Sequence, residues 1–298
     1  MQCIRRNGNI MYNEHLNASI FNYGKVFCNK EFEDILAGII ACYYSIISEK
    51  TILPPNDENY IRDIMLYRYL KNMQFKNEHP PLCDYHFDRE ISEKNGRIDI
   101  RILSVKPYIN DSCYYTIECK RLDNENQEGT SGLNGEYVSE GIFRFVSKAY
   151  SFYKKSAGMI GFVIEKMDID QNTKYINNLL KKIPKTNVQQ ELKKKVIVSG
   201  FDFSYYSSHY IENETKYIYH LMFTLYDNVK FITDCLEKYK ATYHISGNDT
   251  LAIFRKHNVF DYISSCYNTL RTMDSLAIAE NIASFIKNEE NKESHDQS

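Results

Sequence analysis

Three residues have types and a spacing that could do chemistry together: Asp99, Glu118 and Lys120. Two carboxylates can hold a divalent cation, and an ammonium beside them can orient or deprotonate a water. That combination suits the cleavage of phosphodiesters. Asp99 lies in Gly-Arg-Ile-Asp-Ile-Arg-Ile-Leu (96–103), the other two in Tyr-Tyr-Thr-Ile-Glu-Cys-Lys-Arg-Leu (114–122). Apolar and polar residues alternate at period two in both segments, which predicts two short strands. Ile98, Ile100 and Ile102 then share one face, and Arg97, Asp99 and Arg101 the other. Glu118 and Lys120, two residues apart, project from a single face, with Ile117 and Cys119 opposite. If the strands are neighbours, Asp99 meets the Glu-x-Lys pair on one side of a sheet.

Such a site needs a sheet to carry it and helices to cover the sheet. Residues 85–91 predict a first strand that turns through 94–96 into the Asp99 strand. Residues 159–165 form a nearly continuous apolar run, the pattern of a central buried strand. The intervening crossover makes its pairing with the Glu118 strand parallel. That crossover predicts a helix over 136–155, with Ile142, Phe145, Val146, Ala149 and Phe152 inward. Arg144, Lys148 and Lys155 run along another side at offsets of four and seven, either as a solvated face or as a surface touching phosphates. Before it, 127–135 carries three glycines but no Gly-Lys-Ser/Thr, which excludes a phosphate-binding P-loop and leaves a flap or an inert connection.

Upstream, a helix is expected over 31–50, ended by Pro54-Pro55. The next one starts at Asn56 or Asp57 as its cap, with apolar positions at Ile61, Met65, Tyr69 and Met73. Glu58 falls on that stripe. It either complements the helix dipole or reaches the metal site. Downstream, a helix over 172–182 and strands over 195–203 and 217–226 extend the sheet as a hairpin. His209 and His220 have no third ligand at metal spacing and read as core or surface residues. Past Asn228 the pattern is helical only, near 229–240, 250–267 and 274–287.

Asp99 followed by Glu118-Cys119-Lys120 on the next strand resembles the core of the PD-(D/E)XK nuclease superfamily, with Ile98 where the motif's name has proline. The resemblance spans 57–165. It implies a restriction-endonuclease-like fold: α/β, a central mixed sheet flanked by helices, here with an N-terminal helical extension and a C-terminal helical subdomain. It also implies Mg²⁺ or Mn²⁺ held by Asp99, Glu118 and the backbone carbonyl of Cys119, with Lys120 positioning or deprotonating the attacking water. Glu58 is the supporting carboxylate, since families of this kind often place a glutamate on the helix before the sheet. The metal would acidify that water and neutralise charge on the phosphate.

The expected division is an extension over 1–55, a nuclease-like core over 56–228, helices over 229–287 for dimerisation or substrate gripping, and a disordered tail over 288–298. With 43% hydrophobic and 26% charged residues the chain has a globular composition, and its net charge of −2 excludes a global positive field. Any nucleic acid must bind a local basic face. The eight cysteines form no Cys-x-x-Cys pair, which argues against a zinc ribbon or disulfide framework and for a reducing, cytoplasmic setting. No signal peptide is visible in the first nine residues. The longest apolar run, 35–47, is too short to span a bilayer. The expectation is therefore a metal-dependent nuclease, acting on DNA rather than RNA, in restriction or defence against foreign DNA. The alternatives are an RNA-cleaving, toxin-like nuclease and a catalytically idle scaffold whose Asp and Glu-Lys form a structural ion-pair cluster.

Overall fold

Local signals place the first helices. Asp57 accepts the Tyr60 N–H at 2.9 Å and so caps the N-terminus of α2 (Glu58–Ile64), which follows α1 (Asn22–Ser48). The helix continues as a π-helical segment, Met65–Leu70, and then breaks before α3 (Met73–Glu78). Ile61, Met65 and Tyr69 are buried as the stripe requires, but Met73 is 63% exposed. The wider π turn and the break at 71–72 rotate it off the stripe.

The sheet follows: β1 (Tyr85–Glu93), β2 (Gly96–Ser104), β3 (Tyr114–Leu122), β4 (Ser156–Val163), β5 (Val188–Lys194), β6 (Ser204–Ile211) and β7 (Glu214–Thr224). Its seven strands lie in the order β1-β2-β3-β4-β7-β6-β5. β1–β2–β3 and β5–β6–β7 pair antiparallel, while β3–β4 and β4–β7 pair parallel. The computed structural model describes residues 22–49, 51, 53–54, 57–93, 96–106, 113–147, 149–183 and 186–295. Residues 1–21 of the expected N-terminal extension lie outside them.

Helices cover both faces of the sheet. On one side Phe32, Ile35 and Ile39 of α1 and Ile61 and Met65 pack on Ile100, Ile102, Tyr115, Ile117 and Cys119. On the other, the β3–β4 crossover and α6 (Ile169–Lys182) pack on Leu122, Met159 and Met222. β4 is buried along its whole length, as its apolar run predicts. Ile98 belongs to this second core although Ile100 and Ile102 belong to the first. The registered β2–β3 pairing stops at Ile100↔Ile117, and beyond it β2 stays paired with β1 alone.

Two expectations need correction here. The crossover is not one helix to residue 155: it runs α4 (Leu133–Glu136), a π-helical turn (Tyr137–Ile142) and α5 (Phe143–Val146), and ends there. The chain leaves the helix at Ser147 and re-enters the sheet through Lys154 and Lys155, both left-handed (φ 48° and 61°). The predicted strand over 195–203 is a loop between β5 and β6 that turns at Gly200 (φ 86°). Phe201 is buried and Ile197, Val198 and Phe203 are partly buried against the first core, while Val196 is exposed, so the apolar content recorded burial without a strand.

The C-terminal helices α7 (Tyr226–Tyr243), α8 (Gly247–Lys256), α9 (Val259–Ser265), α10 (Tyr267–Leu270) and α11 (Ser275–His295) enclose a third core. α11 continues through residues expected to be disordered; its Glu- and Lys-rich end has high helix propensity, and Ile286 anchors it in the core. This bundle grips α2. Tyr60 packs on Phe260 at 5.7 Å, and Arg255 pairs with the cap residue Asp57 at 2.5 Å. Among the described residues no helix is long and apolar enough to cross a membrane.

Candidate active site

The site lies where β2 and β3 part. With no registered partner opposite, the Cys119 N–H donates to Asp99 Oδ2 at 2.8 Å, so the aspartate side chain fills the place of a strand carbonyl. Asp99 Oδ1 accepts from Arg62 of α2 at 3.2 Å. That guanidinium, only 1% exposed, is also held by Asn59 and Asp63.

Glu118 is 0% exposed, and its Oε1 receives Arg144 Nη1 at 2.8 Å and Lys120 Nζ at 3.0 Å. Glu118 Oε2, also buried, has no hydrogen-bond partner among the described residues. Lys120 Nζ contacts Glu58 Oε1 at 3.2 Å and the Cys119 carbonyl at 3.0 Å. Glu58 Oε2 accepts the Arg121 N–H at 2.8 Å. Glu58 thus reaches across from α2 to β3, beyond a role confined to its own helix dipole. Gly141 makes room: a Cβ there would meet Met159 Cε at 2.5 Å and Lys120 Cγ at 3.5 Å, so the π-helical turn can lie against the lysine stem.

Arg144 enters the carboxylate cluster itself, and Tyr150 Oη receives its guanidinium at 2.7 Å while donating to the Arg97 carbonyl at 2.6 Å. Lys155 stands in the turn before β4 and pairs with Glu214 of β7. The proposed basic stripe therefore does not form, because the helix that would align it ends at Val146; Lys148 lies outside the described residues. Arg62 and Tyr150 were not identified from sequence. Arg62 carried a signal, four residues after Glu58 and so on the same face of the helix. Tyr150 carried none, since its contacts depend on where the crossover helix stops.

Electrostatics concentrate on Glu118. Burial, and next the charge of Asp99, push its carboxyl up to about 8, against the pull of Lys120 and Arg144. Burial also raises Glu58, with Lys120 opposing and Asp99 adding to the rise. For Lys120 burial works downward, but Glu118, Glu58 and Asp99 outweigh it and hold the amine above its ordinary value. It is an ammonium at neutral pH. A carboxyl whose pKa is raised on folding stabilises the fold fully below its unfolded value, and that contribution is lost as pH rises through the folded one, here about 8. Glu118→Gln is therefore expected to gain on the parent in melting temperature as pH rises from about 5 to about 8, and to hold that gain above it. A melting-temperature difference that stays flat over this range would show that Glu118 ionises in the fold as it does unfolded.

The donor set fits a hard divalent cation. Asp99, Glu118 and the Cys119 carbonyl offer oxygen alone, and Glu118 Oε2 is a buried acceptor left open. Among the described residues no three His, Cys, Asp or Glu side chains stand together as a metal-holding group. Two carboxylates nevertheless suffice for Mg²⁺, which commonly keeps several waters and takes further oxygens from a substrate phosphate.

His209 and His220 are core residues, both 0% exposed. His209 Nδ1 donates to the Thr186 carbonyl, so its Nε2 accepts from Ser207 Oγ. Ser207 Oγ then accepts from His220 Nε2, and His220 Nδ1 accepts from Tyr137 Oη. Burial lowers both imidazole pKa values and keeps the rings neutral, as this single direction of donation requires.

The model of one family, described as a protein of unknown function (DUF3791), matches residues 230–289, within α7–α11. No curated protein and no solved structure matches the chain.

Proposed function

We propose that the chain is a metal-dependent phosphodiester hydrolase acting on nucleic acid, DNA before RNA, in restriction or defence against foreign DNA. The observation that supports this most is the meeting of Asp99, Glu118, Lys120 and Glu58 at the point where two neighbouring strands separate. A mixed sheet between helices agrees with the PD-(D/E)XK core that the motif resembles. The choice of DNA and of a defence role rests on that resemblance. A bound Mg²⁺ or Mn²⁺ would supply charge neutralisation and an acidified water. Asp99, Glu118 and the Cys119 carbonyl would hold it. Lys120, an ammonium between two carboxylates, orients the water and stabilises charge on the phosphate rather than taking a proton. Glu58 fixes that ammonium and, through the Arg121 N–H, the end of β3. Arg144 holds the Glu118 carboxylate and must shift to admit both a cation and a phosphate.

One observation favours a second reading, the idle scaffold. Arg62, Lys120 and Arg144 already pair with the carboxylates, so the cluster is closed as a set of ion pairs. Incubation with double-stranded DNA, single-stranded DNA and RNA separates the two. The hydrolase reading expects Mg²⁺- or Mn²⁺-dependent degradation of at least one, abolished by EDTA. No degradation of any with either metal leaves the scaffold.

A further inference from the structure

We infer that the hollow between the segment after α5 and the β6–β7 turn receives an unstacked nucleobase of the substrate strand, an inference that rests on the hydrolase reading above. The cavity measures about 440 Å³ and is lined by Tyr150, Ser151, Phe152, Ile211, Glu212 and Lys216 among others. That volume suits one nucleotide unit. Its walls are set in place before any ligand arrives. Phe145, fully buried, packs on Tyr150 at 5.4 Å and on Phe152 at 5.7 Å. The opposite wall is the tight turn at Glu212 and Asn213, both left-handed (φ 53° and 61°), which joins two paired strands.

The chemistry of the lining points to a base. A half-buried aromatic ring, Phe152, offers a stacking surface. Lys216, 8% exposed, holds its ammonium 5.7 Å from the centre of that ring, tethered by Glu214. An ammonium and a carboxylate around an aromatic wall match the acceptors and donors on the edge of a base. A simple anion would meet Glu212 at the mouth of the turn. The position matches as well. Tyr150 lines the cavity and its hydroxyl binds Arg144, which binds Glu118, so cavity and carboxylate cluster share a wall. A strand whose phosphate reaches Glu118 and Lys120 can turn a neighbouring base into the hollow, which favours single-stranded or frayed substrate.

The test is equilibrium binding by metal-free protein in EDTA, which needs no cleavage. The four deoxynucleoside 5′-monophosphates are titrated beside deoxyribose 5-phosphate, which has the same phosphate and no base. At least one nucleotide is expected to bind about tenfold or more tightly than the sugar phosphate. Phe152→Ala should erase that difference. Ser151→Tyr, which fills the cavity from its exposed rim, should do the same and serves if the alanine variant does not fold. Nucleotides that bind no better than the sugar phosphate, or a preference that survives Ser151→Tyr, would overturn the inference. Degradation of nucleic acid without base-dependent binding removes the cavity assignment alone. Base-dependent binding without degradation removes the hydrolase reading and leaves the base site standing.

Discussion

Asp99→Asn is expected to cut metal-dependent degradation at least about a hundredfold while leaving the chain folded. Asparagine is a better choice than alanine for a structural reason. Asp99 Oδ2 answers the Cys119 N–H, and Cys119 is 0% exposed, so alanine would strand a buried donor at a cost of about 1–3 kcal/mol. A carboxamide keeps the size and an acceptor oxygen. Arg62 loses a charged partner but retains Asn59 and Asp63, so its buried guanidinium stays compensated. Removing the Asp99 charge also relieves Glu118, whose pKa that charge helps to raise, and Glu118 then ionises more readily. Weaker Mn²⁺ binding by the variant, measured by titration calorimetry, would therefore be a lost ligand and not a secondary effect on Glu118. A variant that degrades nucleic acid at the parent rate would take Asp99 out of the site and the hydrolase reading with it.

The parts of the site that sequence made legible are those fixed by local periodicity. Alternation in 96–103 and 114–122 marks both strands, because Ile100, Ile102, Tyr115, Ile117 and Cys119 all go to the first core while the polar residues stand between them. Asp57 marks the start of α2 because a capping side chain acts within three residues of itself. Glu58 could be placed on the correct helix for the same reason. What sequence could not place depends on where elements stop. Arg144 looked like one member of a basic stripe, since nothing in Phe-Val-Ser-Lys-Ala-Tyr announces the end of α5 after Val146. Once the helix stops, Arg144 turns to Glu118, Lys155 goes to Glu214, and Tyr150 becomes a wall between site and cavity. Met73 failed for a related reason, because π-helical turns change the phase of a stripe without changing composition. The parallel β4–β7 pairing joins residues some sixty positions apart, and no period in the chain encodes that partnership.

The two readings of the cluster part most widely at Lys120. Lys120→Met is expected to lower turnover on the order of a hundredfold and to change metal affinity little. Methionine keeps the aliphatic stem that packs against the Gly141 turn and removes the ammonium. Loss of that ammonium frees Glu118 Oε1 from one of its two cations and leaves Arg144 in place. Glu58 keeps the Arg121 N–H. A divalent cation then meets one fewer positive charge at the same oxygens, while Glu118, without the pull of Lys120, holds its proton more firmly; the two effects oppose, so binding changes little while the ammonium beside the water is gone. Asp99→Asn and Lys120→Met thus lower the rate together, but only Asp99→Asn weakens Mn²⁺ binding strongly. A purely structural ion-pair cluster predicts another pattern. Two carboxylates would lose a shared cation, the melting temperature would fall, and no metal-dependent rate would exist to lose. The deciding measurement is Mn²⁺ titration of parent, Asp99→Asn and Lys120→Met proteins beside a single-turnover cleavage assay. Affinity that falls equally in both variants would place Lys120 among the groups that build the site and deny it a separate part in the chemistry.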